Sequence, residues 1–257
     1  MKALIYGGAA VTMIYAALCV LVYLAQDRLL YLPPPDFGRP AARSLTLECG
    51  EATLRIGELH AQQRAALIYF GGNAEDVGAN AADFDRAFPD RAVYLVNYRG
   101  YGGSTGRPSE AALICDAVAA YDWVSLRHDR VAVIGRSLGS GVAAALATRR
   151  PIERLVLVTP FDSIANVAAD HFSWLPVRWL LKDRYDSQTR IGTVRAPVLA
   201  LVAEHDEVVF RPRSDALIAA IPENIRQVVL VAGATHNDIS DFPAYLQRLK
   251  EFLEGRP

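Results

Sequence analysis

The chain has 257 residues, 52% of them apolar, with a formal net charge of −1. That is enough material for one well-buried core. The near-neutral charge, with no cluster of Lys and Arg among aromatics, argues against nucleic acid as a partner. Three widely spaced cysteines (Cys19, Cys49, Cys115) and five histidines form no C-x-x-C or H-x-x-x-H pattern, so no disulfide framework, metal or cofactor is expected.

Residues 3–25 carry no charge (ALIYGGAAVTMIYAALCVLVYLA). As a helix this stretch covers about 34 Å, against a hydrocarbon core of roughly 30 Å. It exceeds the roughly 7–15 apolar residues of a cleaved signal, and Tyr23-Leu24-Ala25 lacks the small-x-small site. Leu18 before Cys19 is too large for a lipoprotein cleavage box. The expectation is one transmembrane helix, an anchor over 1–28 that contacts the lipid bilayer, with a catalytic domain over 29–257. Lys2 on one side against Arg28, Arg39 and Arg43 on the other favours, by a narrow margin, a cytoplasmic catalytic domain. Leu29-Leu30-Tyr31-Leu32-Pro33-Pro34-Pro35 then reads as a stiff spacer that ends the helix.

Strand-like runs follow at 44–49, 53–60, 65–70, 92–97, 130–134, 154–159, 197–203 and 227–232. Helix-like segments fall at 76–88, 109–127, 137–149, 212–221 and 241–254. Several runs, such as AALIYF, RLVLVT and PVLALV, are continuously apolar, as suits strands buried on both faces of a parallel sheet. The alternation predicts an α/β, doubly wound, mostly parallel eight-stranded sheet with right-handed crossovers. The first two strands have no helix between them and should form an antiparallel edge. The segment 161–195, between the sixth and seventh strands, reads as a short cap rich in aromatics.

In such a sheet the functional groups lie beyond the carboxyl ends of the strands. The residues there are Gly71-Gly72-Asn73, Tyr98-Arg99, Gly135-Arg136-Ser137-Leu138-Gly139, Phe161-Asp162, Glu204-His205-Asp206 and Thr235-His236-Asn237-Asp238. VAVIGRSLGSG over 131–141 carries the sharpest signal. A β-branched run breaks into G-x-S-x-G, and an alanine-rich helical segment follows, the strand–turn–helix context of a nucleophile elbow. Gly135, Gly139 and Gly141 also match a dinucleotide-loop spacing. Against that reading, at least three strand-like runs come earlier, and no Tyr-x-x-x-Lys pair is formed by Tyr121, Tyr185 or Tyr245.

Serine needs a base, and His236, in the loop after the last strand, is the candidate. Asp206 is the preferred carboxylate to orient it, with Glu204, Glu207 and Asp162 as alternatives. His60, His128 and His171 read as packed or surface histidines, and Asp238 as a loop or capping residue. An oxyanion would take the N–H groups of Leu138, at the helix start, and Asn73, in the glycine loop. Tyr98, Phe161, Phe172 and Trp174 are candidate substrate-binding residues. GYGGSTG at 100–106 lacks the Lys-Ser/Thr of a phosphate loop and reads as a tight turn beside the site.

LLYLPPP, YFGGNAEDVG, NYRGYGGSTGRPSE, VIGRSLGSG, TPFDSI, AEHDEVV and GATHND, in this order, resemble membrane-anchored α/β-hydrolase-domain serine hydrolases, a group that includes protein depalmitoylases and lipid-acyl hydrolases. The resemblance covers about 29–253. It implies the α/β-hydrolase fold, Ser137 as nucleophile, Asp206 as acid, His236 as base, and Asn73 and Leu138 as oxyanion donors. Gly71 stands where relatives usually carry His; Ala203, Phe210 and Thr235 also depart from the pattern. The expected activity is cleavage of an acyl ester or thioester through an acyl-enzyme. A peptidase and a catalytically silent binding scaffold are the alternatives.

Overall fold

The computed structural model describes residues 2–34 and 43–255. Pro35 of the spacer, and Asp36 and Arg39 near it, lie outside the described residues. The chain opens with helix α1 (Lys2–Leu30). Strands β1 (Arg43–Cys49), β2 (Ala52–Leu59) and β3 (Ala65–Phe70) follow, then α2 (Ala81–Ala87), β4 (Arg91–Val96), α3 (Glu110–Ser125) and β5 (Arg130–Arg136). The second half runs α4 (Leu138–Ala147), β6 (Leu155–Val158), α5 (Ile164–His171), α6 (Val177–Leu180), α7 (Ser187–Ile191), β7 (Val198–His205), α8 (Arg211–Ala220), β8 (Arg226–Thr235) and α9 (Pro243–Leu253).

The strands form one eight-stranded sheet in the order β1-β2-β4-β3-β5-β6-β7-β8. β2 runs antiparallel to both neighbours and the remaining pairs are parallel. The central strands read as unbroken apolar runs because helices cover both faces. Ala66, Ile68 and Phe70 of β3 join a core with α3 and α4, whereas Leu67 and Tyr69 join one with α2 and α9. That split is the period-two alternation of a strand. β1, at the edge, alternates exposed and half-buried residues instead.

The expected helix over 76–88 is shorter. Val77–Asn80 form a 3₁₀ turn, started by Asp76 accepting from Gly78 N at 3.0 Å, and only then does α2 begin. The 161–195 segment is a cap of three short helices, α5 to α7. Ser163 caps α5, and Pro176, which has no N–H to offer a preceding turn, opens α6.

Leu4–Leu30 of α1 is long and apolar enough to cross a membrane, and its most apolar window is unburied. The last turns of α1 pack on the cap. Gln26, only 4% exposed, donates from Nε2 to Tyr23 O (2.7 Å) and Leu180 O (3.2 Å) and accepts from Lys182 N at 2.8 Å. Tyr31 donates to Asp183 Oδ2 (2.7 Å), and its hydroxyl lies 2.9 Å from that of Tyr185. Burial, reinforced by Tyr185 beside it, raises the Tyr31 phenol above its ordinary pKa and keeps it a donor.

Beyond β4, Arg99 forms a two-pronged ion pair with Asp116 of α3, which is buried. Removing one member of a buried pair strands the other charge, at a cost of about 3 kcal/mol. Asp116→Ala should therefore lower the melting temperature by roughly 6–12 °C in a thermal unfolding scan. A drop below about 2 °C would show that the pair contributes nothing.

Candidate active site

The site grows from the turn between β5 and α4. Ser137 sits there with φ +49° and ψ −117°, outside the regions an L-residue favours, so the surrounding packing must impose this conformation. The flanking glycines explain how. A Cβ on Gly135 would lie 2.2 Å from Gly139 O, and one on Gly139 would lie 2.1 Å from Phe70 O. Helix α4 can approach β3 and β5 this closely only with hydrogen at both positions. Ser137 N donates to Val158 O at 2.9 Å, which fixes the turn to β6.

The register of β7 on β8 supplies the partners. His205 pairs with Thr235 after a bulge, so the next residue of each strand, Asp206 and His236, project side by side. His236 Nδ1 is 2.9 Å from both Asp206 carboxylate oxygens, and its Nε2 is 2.9 Å from Ser137 Oγ. Asp206 also accepts from Val208 N (3.0 Å) and Val209 N (2.7 Å), which orient the carboxylate. Both side chains are buried.

The other candidate acids are placed elsewhere. Asp162 accepts from Ser163 N, Asn166 Nδ2 and Arg213 Nη1. Glu204 takes Gly233 N, while Glu207 reaches only the backbone N of His236, at 3.4 Å. Asp238 holds its own loop by accepting from Thr235 N. His60 faces Asp85, His128 is buried between Tyr94 and Gln63 O, and His171 lies against Val208 O.

The Gly71–Asn73 loop borders Ser137: a Cβ on Gly72 would be 3.5 Å from Ser137 Cβ. At Gly71 a Cβ would come within 2.6 Å of Val77 Cγ1 and 3.2 Å of the Glu75 carboxyl group, so a larger side chain there would require Val77 and Glu75 to shift. Glu75 braces the loop. It accepts from Gly72 N (2.5 Å), Tyr69 Oη (2.7 Å) and Asn80 Nδ2 (2.8 Å). Burial, then Glu75, pushes the Tyr69 phenol well above its ordinary pKa, which keeps it a donor. The Asn73 side chain is held on both edges, donating to Leu30 O (2.7 Å) and accepting from Leu32 N (3.0 Å) and Tyr101 Oη (2.9 Å). Leu138 opens α4, where a first-turn N–H has no intrahelical acceptor.

Tyr98 is buried and donates to Gly71 O at 2.7 Å, so it supports the loop from behind. Phe161 is buried against Gly141 of α4. Phe172 and Trp174 lie exposed on the cap. Two residues that sequence reasoning passed over, Glu75 and Arg136, are central. Arg136, the variable residue before Ser137, donates to Asn237 O at 2.7 Å and lies 4.0 Å from Glu75. Burial opposes its charge, but Glu75 and then Tyr69 hold its pKa above the ordinary value. It therefore links the histidine loop to the glycine loop. The only available signal was an acid three residues after the second loop glycine. Among the described residues no cluster of His, Cys, Asp or Glu could hold a metal ion.

A hydroxyl on a strained turn, an imidazole backed by a carboxylate, and a helix N-terminus alongside form a constellation suited to acyl transfer. An eight-stranded sheet of this order bearing such a turn defines an α/β-hydrolase. The α/β-hydrolase-fold family model matches residues 66–189. An uncharacterized protein of Mycobacterium tuberculosis is 38% identical over 95% of this chain and 93% of its own length. Mouse α/β-hydrolase domain-containing protein 17C is 30% identical over 74% of this chain and 60% of its own length. The Pyrococcus furiosus esterase Pf2001 superposes with a TM-score of 0.69 at 19% identity, over 83% of this chain and 92% of that one. The chain belongs to the α/β-hydrolase family.

Glu75 is expected to act on turnover through the loop it braces. Glu75→Ala should lower kcat by about tenfold to a hundredfold with little change in KM, as for a displaced oxyanion donor. Glu75→Gln, which keeps one acceptor, should recover part of the loss. Steady-state kinetics on a soluble ester checks this, and equal KM and kcat effects would refute it.

Proposed function

We propose that this protein is a membrane-anchored serine hydrolase that cleaves carboxylic ester or thioester bonds through an acyl-enzyme. The observation that carries the proposal is the pair of 2.9 Å contacts that His236 makes, one to Ser137 Oγ and one to Asp206. In this reading Asp206 accepts a hydrogen bond from the Nδ1–H of His236, which keeps the proton there and leaves Nε2 free to take the proton of Ser137. Ser137 Oγ then attacks the acyl carbon. The oxyanion that forms is held by the N–H groups of Leu138 and Asn73. His236 returns the proton to the leaving alcohol or thiol, which departs and leaves the acyl group on Ser137. A water molecule, deprotonated by His236, attacks the acyl carbon; the bond to Ser137 Oγ breaks, His236 returns the proton to that oxygen, and the acid departs. Every step uses side chains and backbone of this chain. The α1 helix, with the 1–28 segment as anchor, would hold the 29–257 domain at the bilayer. The ester-cleaving reading is consistent with the description of the Pyrococcus furiosus neighbour as an esterase.

A fluorophosphonate probe should label Ser137, and Ser137→Ala should abolish both labelling and turnover, a loss on the order of 10⁴–10⁶ in rate. Equal labelling of the variant and the native protein would end the serine-hydrolase reading. Asp206→Asn should lower kcat by roughly 10⁴, because the amide favours the wrong imidazole tautomer. An active Asp206→Asn beside an inactive Glu207→Gln would move the acid role to Glu207.

A further inference from the structure

Between the last turns of α1 and the cap lies a cavity of about 410 Å³. One wall is Val22, Leu29 and Leu30 of α1; the other includes Ala168, Phe172 and Leu175. The size suits a small-molecule site, which typically occupies about 300–1,000 Å³. The side-chain amide in this lining belongs to Gln26, and its nitrogen and oxygen are both already hydrogen-bonded to protein. Both polar atoms of that amide are engaged by protein and the other lining side chains are apolar, so the lining favours hydrocarbon.

Two further observations fix what kind of hydrocarbon. At Leu30 the cavity meets the proposed oxyanion loop, because Leu30 O accepts from Asn73 Nδ2 at 2.7 Å. Elsewhere on its rim Phe172 and Trp174 are 48% and 58% exposed. Trp174 O accepts from Tyr15 Oη at 2.8 Å, midway along the helix that is long enough to span a bilayer. The cavity is thus bordered by Leu30, whose carbonyl is bonded to the proposed oxyanion loop, and by Phe172 and Trp174, on a surface alongside the membrane helix. A larger cavity on another flank of α1 is bordered by Asp27, Arg28 and Arg107, charged groups that do not suit a chain.

We propose that the α1–cap cavity holds the acyl chain of the substrate, so that the membrane helix is itself a wall of the binding site. This rests on the serine-hydrolase reading above and adds the substrate class: esters or thioesters of long-chain fatty acids, taken from the bilayer side. Each methylene buried there is worth nearly fourfold in affinity at about 0.8 kcal/mol.

The test uses the full chain in detergent micelles and compares kcat/KM for palmitoyl and butyryl p-nitrophenyl esters. Ala168→Trp and Leu29→Trp fill the cavity from opposite walls. Val20→Trp adds the same bulk to α1 away from the lining. The palmitoyl-to-butyryl ratio should fall tenfold or more in the first two and stay at the native value in Val20→Trp. Leu175→Ala should move the preferred chain length upward. Because each ratio is taken within one variant, partial unfolding cancels from it. An unchanged ratio in both filling variants overturns the proposal, and means that the chain lies elsewhere or that the cavity holds a non-reacting lipid. Palmitate carrying a chain diazirine supplies a readout without turnover: it should crosslink to 22–30 and 168–181, and crosslinking elsewhere only would also overturn it. Ester cleavage that survives Ser137→Ala would instead sink the serine-hydrolase reading and leave the crosslinking result standing.

Discussion

Helix α4 lies against the sheet so closely that Gly135 and Gly139 have no room for a methyl group, and most of the site follows from that contact. The missing Cβ atoms let Phe70 O and Gly139 O sit where side chains would otherwise stand. The chain must then reverse within Arg136–Leu138, and Ser137 is left with a positive φ and its hydroxyl directed away from the core. The cost of that backbone, on the order of 1–3 kcal/mol, is offset by the surrounding packing. The small residues Ala143, Ala144 and Ala145 continue the close fit along α4 and are all fully buried.

Three loops from distant parts of the chain meet around this turn, and charged groups join them. Arg136 and Glu75 bridge the histidine loop and the glycine loop at the mouth of the sheet. Neither group is fully exposed, so their partners must satisfy them: Glu75 has three donors, and Arg136 has backbone carbonyls. Such a network resists displacement of any one loop, because moving it leaves a partly buried charge unpaired. The cap is tied in differently, through Tyr31, Asp183 and Tyr185, where burial keeps the phenols neutral.

The sheet was legible in the sequence because its central strands are apolar on both faces, and each ends where glycine, proline or a charge begins. Local signals were enough to place Ser137, Asp206 and His236 at the ends of three parallel strands, but the bulge at Ala203–His205 that aligns β7 with β8 there is not encoded in the apolar runs. The short α2 was harder to foresee. The Asp76 turn competes with the helix over the same residues, and the apolar pattern does not distinguish a 3₁₀ turn from an α-helical one. Glu75, Arg136 and Gln26 were hard to single out for another reason. Arg136 and Gln26 meet partners far away in the chain, Asn237 and Lys182, and Glu75, whose three donors are local, approaches Arg136 only through the fold, so no spacing encodes those meetings. Tyr98 and Phe161 sit at strand ends, as expected, but their rings turn inward to support the backbone.

The grip of Asn73 on Leu30 and Leu32 bears on how a soluble version of the protein could be made. A truncation that starts after the apolar stretch, at residue 33 or later, takes away the acceptor for Asn73 Nδ2 and one of the two donors to its Oδ1. The amide would then be free to rotate, and the loop beside Ser137 would lose the strap that crosses it. A useful boundary therefore lies upstream of Leu30, with solubility sought by replacing Leu21 and Leu24, exposed leucines that do not line the cavity between α1 and the cap. The few residues just past the helix belong, in engineering terms, to the folded body rather than to a disposable tether.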